Sequence, residues 1–204
     1  MIITVSREFG SGGREVGKRL ADELSMNYID REIITTIANE NNMHEDVVEE
    51  TLSKGVIPQI PVHFGRTFYQ YQPIPSLSSQ LSARQHTLIR ELAQKGDCII
   101  VGRAADVVLE DYDPFRIFVY ADLSSKLERC RRLGPEEEAL SDHELERKMK
   151  RVDSERARYY ALYGSTPWGD KSNYDLCINT SQYEIKDIIE EIADYIRRWY
   201  IVRK

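Results

Sequence analysis

The sequence predicts an α/β fold: a doubly wound, parallel sheet with helices on both faces. Three observations carry that expectation. Five short runs are near-continuously apolar in their middle, as strands buried on both faces should be. Amphipathic stretches of helical period separate them. A glycine-rich loop follows the first run and opens a helix. Alternation of this kind closes with right-handed crossovers.

The strands are expected at 2–6, 27–30, 98–102, 115–120 and 174–179. After the first, Val16, Leu20, Ala21 and Leu24 mark the apolar face of a helix. Leu81, Leu88, Ile89 and Leu92 mark another, closed by Lys95-Gly96. A further helix should start at Arg31. Ser125-x-x-Glu128, Ser141-x-x-Glu144 and Ser181-x-x-Glu184 read as capping boxes at three later helix starts. Gly134-Pro135 should stop the first of these helices. The last runs over about 182–200, with Ile185, Ile188, Ile189, Ile192 and Ile196 at helical spacing.

Two connections are longer than a crossover needs. Between Asp30 and Cys98 lie 67 residues. They include an acidic stretch from Glu45 to Glu50. They also include a segment, 58–75, with four of the seven prolines among Phe64, Phe68, Tyr69 and Tyr71. Between Tyr120 and Tyr174 lie a highly charged helix and the turn Gly164-Ser-Thr-Pro-Trp-Gly-Asp170. Long insertions at the strand ends of such a sheet read as substrate lids. The expected organisation is one domain over 1–204, with a core of 1–30, 96–133 and 170–204, an insert at 31–95 and a lid region at 134–169.

Composition narrows the function classes. A chain of 204 residues with 41% hydrophobic and 30% charged residues is an ordinary globular protein, not a disordered one. Its apolar runs fall far short of the roughly 20 residues that span a membrane. No basic, apolar leader opens the chain, so a cytoplasmic location is expected. Cys98, Cys130 and Cys177 lie far apart, which excludes a disulfide scaffold and a zinc ribbon. Cys98 and Cys177 fall within strands and should be core. His44, His63, His86 and His143 have no metal-site spacing. A net charge of −6 argues against a nucleic-acid partner, though a local basic patch can still hold phosphates.

The first strand–helix turn, Ser6-Arg-Glu-Phe-Gly-Ser-Gly-Gly-Arg-Glu15, has the makings of an anion site. Its glycines let backbone N–H groups turn inward, and the helix N-terminus adds partial positive charge. A G-x4-G-K pattern also exists at Gly12, Gly17 and Lys18, but that register conflicts with the helix. Gly17 falls beside the buried face, and Lys18 should point to solvent with Arg14 and Asp22. The working register is therefore Gly10-Ser-Gly-Gly13, with Arg14 and Glu15 following. It puts Gly13 where a phosphate-loop lysine usually stands, so neutralisation must come from Arg14, Arg7 or elsewhere.

Three further places carry chemistry. Asp30 ends the second strand, where it can accept a proton, hold a Mg2+ water or simply cap the next helix. Arg103 ends the third strand, and its fork suits phosphate or carboxylate. Asp106 either orients Arg103 or is a solvated helix residue. From Arg147 to Arg158 six basic residues face only Asp153 and Glu155, a local charge of +4. Arg156 falls on the stripe of Leu145, Met149, Val152, Tyr159 and Tyr163, one turn after Asp153. Arg151 and Arg158 lie two turns apart on a neighbouring face. This pattern reads as a phosphate-binding lid, against the alternative of a solvated helix.

At these residues the chain resembles the cytidylate kinase-like family of P-loop nucleoside monophosphate kinases. The resemblance runs through Ile3-Thr-Val-Ser-Arg-Glu-Phe-Gly-Ser-Gly-Gly-Arg-Glu-Val-Gly17, Tyr28-Ile-Asp-Arg31 and Ile100-Val-Gly-Arg-Ala-Ala-Asp106. It continues in Glu155-Arg-Ala-Arg-Tyr-Tyr160, Trp168-Gly-Asp170 and Asn173-Tyr-Asp-Leu-Cys-Ile-Asn-Thr180. It implies a five-stranded P-loop sheet, an NMP-binding insert and an arginine-bearing lid. It implies ATP with Mg2+ as donor, and CMP or dCMP as acceptor. Asp30, Arg103, Asp153 and Arg156 match residues of the family's motifs; with the residues read above, Gly10, Ser11, Gly12, Gly13, Arg14, Glu15 and Arg151 are expected to bind ATP. Asp30, Arg31, Arg103, Asp153 and Arg156 would hold the acceptor. Arg14, Asp30, Arg103, Arg156 and Arg158 would serve the transfer, with Mg2+ near Glu15 or Asp30. The chain departs from the family pattern at Gly13, Arg31, Val101 and Ala104. The implied activity is a small phosphotransferase. The alternatives are a non-catalytic nucleotide-binding protein or a kinase of another small acceptor. The oligomeric state is left open.

Overall fold

The computed structural model describes residues 1–54, 76–133 and 140–203. Its centre is a five-stranded sheet of order β2-β3-β1-β4-β5, parallel throughout. The strands are β1 (Ile2–Arg7), β2 (Asn27–Ile29), β3 (Cys98–Val101), β4 (Phe115–Tyr120) and β5 (Leu176–Asn179). All five expected strands form. β1, β3 and β4 are the inner three and carry the continuous apolar runs, because both of their faces are covered.

Helix α1 (Gly13–Leu24) buries Val16, Leu20 and Ala21 on one face of the sheet. There they meet Ile3, Val5, Ile99 and Val101, and Ile196 of the last helix, α8 (Ile189–Val202). The opposite face carries α2 (Glu32–Asn41), α3 (Glu45–Lys54), α4 (Leu77–Gln94) and α5 (Ala105–Val108). Ile33, Ile37, Leu52, Leu81 and Ile89 pack there on Cys98 and Ile100. β3 thus feeds alternate side chains to the two cores, as the pleat requires. α6 (Leu123–Leu133) and α7 (Asp142–Ala161) fill the connection from β4 to β5, and α7 reaches across to α3.

Several expectations are corrected. Of the three capping boxes only Ser141 forms one: its Oγ accepts from Glu144 N, and its own N–H donates to Glu144. α6 has already begun at Leu123, so Ser125 lies inside it and donates instead to the Ser181 carbonyl at 3.1 Å. Ser181 in turn bonds Asn179 Oδ1, and the last helix starts at Ile189 after a 3-10 turn at Ile185–Asp187. Asp30 is no cap, because the position before α2 is Arg31. Cys98 is core, but Cys177 is exposed because β5 is an edge strand. The proline- and aromatic-rich segment at 58–75 and the stop at Gly134-Pro135 lie outside the described residues.

Candidate active site

The loop after β1 takes its shape from two glycines with positive φ, Gly10 at +76° and Gly12 at +82°. Gly12 is the residue before α1, and a Cβ there would strike Ile185 Cδ1 and lie 3.3 Å from Arg129 Nε. The loop is gripped from behind. Arg129 donates to the Gly10 carbonyl at 2.8 Å and to the Thr180 carbonyl at 3.0 Å. Thr180 Oγ1 donates to the Ser11 carbonyl at 2.7 Å, and Lys126 Nζ donates to Glu8 at 3.0 Å. Ser11 is buried, with its hydroxyl on the Glu8 carbonyl. What remains outward is the first turn of α1, whose N–H groups have no acceptor within the helix. Gly17 is buried, with room for no Cβ nearer than 2.9 Å to Val101 Cγ2, and Lys18 is exposed. The Gly12–Gly17–Lys18 register is therefore not the one that opens the helix.

The turn after β3 is built differently. Gly102, Arg103 and Ala104 take φ of +77°, +60° and +50° in succession. Two of these residues carry a Cβ in the left-handed region, a strain on the order of 1 kcal/mol or more each. The turn throws Arg103 into the cleft, where its Nη2 meets Glu49 Oε1 of α3 at 3.1 Å. Asp106 follows neither reading made from sequence. It is 4% exposed and accepts from Tyr160 Oη at 3.0 Å, so it ties α7 to α5 behind the turn. Burial, opposed by the Tyr160 bond, raises its pKa above the ordinary carboxylate value.

Helix α7 lies over both turns. Asp153 accepts from Phe9 N at 2.8 Å, while Arg156 donates to Asp153 at 3.0 Å and to the Arg7 carbonyl at 3.0 Å. One ion pair of α7 thus holds the first loop at two points. Burial pushes the Asp153 pKa up and the Arg156 pKa down, against their mutual attraction, so the pair is a desolvated one. Tyr159 and Tyr160 are buried beneath the helix; the Tyr159 hydroxyl takes a hydrogen bond from Gln85 of α4, and burial raises its pKa.

These elements enclose a cavity of about 630 Å³ at the carboxyl edge of the sheet. Arg7, Arg14, Arg103, Arg151, Arg156 and Arg158 line it, facing Asp46, Glu49 and Glu50 of α3. Such an edge is where open α/β sheets hold ligands. Asp30, 9% exposed, stands beside it and pairs with Arg14 Nε at 2.8 Å. Of the other residues singled out from sequence, Glu15 pairs with Arg19 along α1, and Arg31 is exposed at the start of α2. Neither lines the cavity, and nor do Gly10, Ser11, Gly12, Gly13 or Asp153. Asp30 thus sits at the carboxyl edge of the sheet on Arg14, while Glu15 is turned to Arg19.

The sequence pattern of the cytidylate kinase-like family matches residues 2–182. The chain belongs to that family. Its relatives include the cytidylate kinase of Methanococcus maripaludis strain S2, 29% identical over 97% of this chain and 99% of that one. The cytidylate kinase of Methanococcus vannielii is 27% identical over 97% of this chain and all of its own. Among solved structures, an uncharacterized protein from Eubacterium ventriosum superposes with a TM-score of 0.68 at 24% identity, covering 97% of this chain and 98% of that one. Shikimate kinase from Bacteroides thetaiotaomicron superposes at 0.58 with 14% identity, over 97% and 98%. The family's P-loop kinase fold is thus the fold of this chain.

Local pattern does not say which residues meet in the cavity. Glu49 lay in an acidic stretch with nothing to say which strand end it would face. Tyr160 sits beside the stripe that was read, and its bond to Asp106 spans 54 positions of chain. Arg7 was one of two candidates for neutralising a phosphate, and only the structure shows where it lies.

Proposed function

We propose that the protein is an ATP-dependent phosphotransferase of the nucleoside monophosphate kinase type, with CMP or dCMP as acceptor. The observation that carries this reading is the convergence of six arginines from β1, α1, the β3 turn and α7 on one cavity. Three of them (Arg7, Arg103 and Arg156) are anchored at sheet-edge turns or desolvated pairs rather than on a free surface. That many cations around one cavity call for a multiply charged anion. The family and the cytidylate kinases among its relatives support the choice of nucleotide.

In this reading the first turn of α1, with Arg14, receives the donor phosphates. Arg103, held out by its strained turn, receives the acceptor phosphate. Arg156 and Arg158 close over the transferred group from the lid helix. An acceptor phosphate oxygen attacks the γ-phosphorus as the bond to the β-bridging oxygen breaks, leaving ADP; no proton has to move and no covalent enzyme intermediate forms. Mg2+, brought with ATP, would neutralise charge on the phosphates, with Asp30 as the carboxylate to hold its waters. The protein's part is positioning and electrostatic stabilisation in a site closed from water.

A coupled ADP-release assay against every NMP and dNMP tests this. CMP or dCMP should give the highest kcat/KM. Turnover of none of them, with the protein folded, would overturn the reading. A second reading, a kinase of another small acceptor, is favoured by one observation: Asp46, Glu49 and Glu50 form an acidic wall that suits hydroxyl or amino groups. Hydroxylated acceptors added to the same screen decide between the two.

A further inference from the structure

A phosphate loop normally carries a lysine where this chain has Gly13, and the reading above needs a cation for the phosphate that moves. Glycine is obligatory at that position here. A Cβ built on Gly13 would run into Arg7 Cβ and stand 2.8 Å from Arg7 Cγ. The side chain of Arg7, the last residue of β1, therefore starts from the place where a side chain of residue 13 would start, and it fills the same space. Its far end is accommodated by a second glycine. A Cβ on Gly102 would run into Arg7 Nη1 and lie 2.9 Å from Cζ. Arg7 thus runs from beneath the first loop to the strained turn that carries Arg103, so its guanidinium lies between the two phosphate sites proposed above.

Arg7 is also poorly paired for a buried charge. Its side chain is 12% exposed. Among the described residues the nearest carboxylate oxygen, Asp30 Oδ1, is 4.0 Å from Nη2, beyond hydrogen-bond reach. The other oxygen of Asp30 is held by Arg14 at 2.8 Å. Arg7 Nε is buried with no hydrogen-bond partner among the described residues. Arg156, Arg14 and Arg103 all repel it; together with burial, the largest cause, they bring its pKa down to about 9 against the pull of Asp30. A guanidinium in that position lacks an anion, and a donor polyphosphate supplies one.

We propose that Arg7 replaces the missing phosphate-loop lysine, its guanidinium holding the β- and γ-phosphates of the donor from the sheet side while Gly13 and Gly102 stay bare to make room for it. The inference rests on the ATP-dependent reading, and its test is arranged to separate the two. Binding of ATP and of inorganic tripolyphosphate is measured by calorimetry, apart from turnover. Arg7→Met keeps the stem and removes the charge. It should weaken both ligands at least tenfold and lower kcat on the order of 100-fold, while the melting temperature without ligand stays level or rises. A structural arginine gives the reverse: a lower melting temperature and unchanged affinity for both ligands, which overturns the proposal. Gly13→Lys alone should fail, because two side chains cannot share the space. Arg7→Gly with Gly13→Lys, which removes the Cβ that blocks residue 13, should bind ATP several-fold more tightly than Arg7→Gly. If the wild type binds ATP but phosphorylates no acceptor, the kinase reading falls and the binding arms still decide Arg7. If the wild type binds neither ATP nor tripolyphosphate, the assignment of Arg7 falls as well.

Discussion

The turns after β1 and β3 leave neighbouring strands at the same edge of the sheet, yet they are built in opposite ways. The first relaxes its positive-φ positions with glycine and is clamped from behind by Arg129, Thr180 and Lys126. It offers backbone N–H groups. The second forces Arg103 and Ala104, both with a Cβ, into the left-handed region, and it offers a side chain. A backbone cradle needs rigidity but no particular side chain, so glycine is the cheapest solution. A guanidinium that must stand at one point needs its own residue at the bend, and the strain is balanced by surrounding contacts: the Asp106–Tyr160 bond behind it and the Glu49 pair in front.

The sharpest way to break this comparison is through α7, which covers both turns. Arg156→Ala removes a cation from the cavity and leaves Asp153 buried without its partner. In the coupled ADP-release assay kcat should fall on the order of 100-fold, equivalent to about 2.7 kcal/mol. Arg158 is exposed on the same cavity, so Arg158→Ala should lower kcat in the same direction without loss of thermal stability. Wild-type kinetics for both variants would mean that α7 is only a solvated helix.

Next comes the clamped turn. Gly12→Ala meets Ile185 Cδ1 and takes a φ of +82° that alanine disfavours. Urea unfolding should show a loss of about 2 kcal/mol. A loss under a few tenths would show that the first loop is as adjustable as any surface turn. The strained turn should respond with the opposite sign. Ala104→Gly relieves a φ of +50°, and stability should rise by up to about 1 kcal/mol. If the strain serves to aim Arg103, kcat/KM should drop in the same variant.

A smaller, pH-dependent effect concerns the support of that second turn. Burial raises the Asp106 pKa in the folded state above its unfolded value. The stability this group contributes is then full below the unfolded pKa and is lost as pH rises through the folded one. Asp106→Asn keeps an acceptor for Tyr160 and removes the charge. Its melting temperature should exceed that of the wild type at pH 8, and the gap should narrow as pH falls. A gap that is the same at every pH would show that Asp106 does not titrate in this way. Smallest of all is Lys18→Ala: Lys18 is exposed on α1, and ATP affinity should stay within about twofold of the wild type. A large loss would return the phosphate loop to the other register.

Much of the fold was legible from local pattern. The five apolar runs, the stripe of Val16, Leu20 and Ala21 and the Ser141–Glu144 box depend on residues a few positions apart. The misread starts at Ser125 and Ser181 fail for one reason. Each hydroxyl found another partner: Ser125 a tertiary one, the Ser181 carbonyl, that no local motif anticipates, and Ser181 a competing local one, Asn179 Oδ1 two residues back. Periodicity placed Cys177 in a strand correctly but could not say that the strand is an edge.

The same division runs through the candidate site. That glycines follow the first strand, that an arginine ends the third and that Arg156 shares a helical stripe with apolar neighbours is readable from local spacing, because these are relations within one element. Which cations meet depends on the packing of the strands and helices. Arg7 belongs to the cavity because β1 ends between β3 and β4 and because Gly13 and Gly102, 89 positions apart in the chain, both yield to its side chain. Asp30 became the partner of Arg14 and not a helix cap because the parallel register of β2 on β3 carries its carboxylate to the edge of the sheet where α1 begins. Side-chain volume and charge compensation act through space, and their partners are chosen by the crossing of strands that no local spacing encodes.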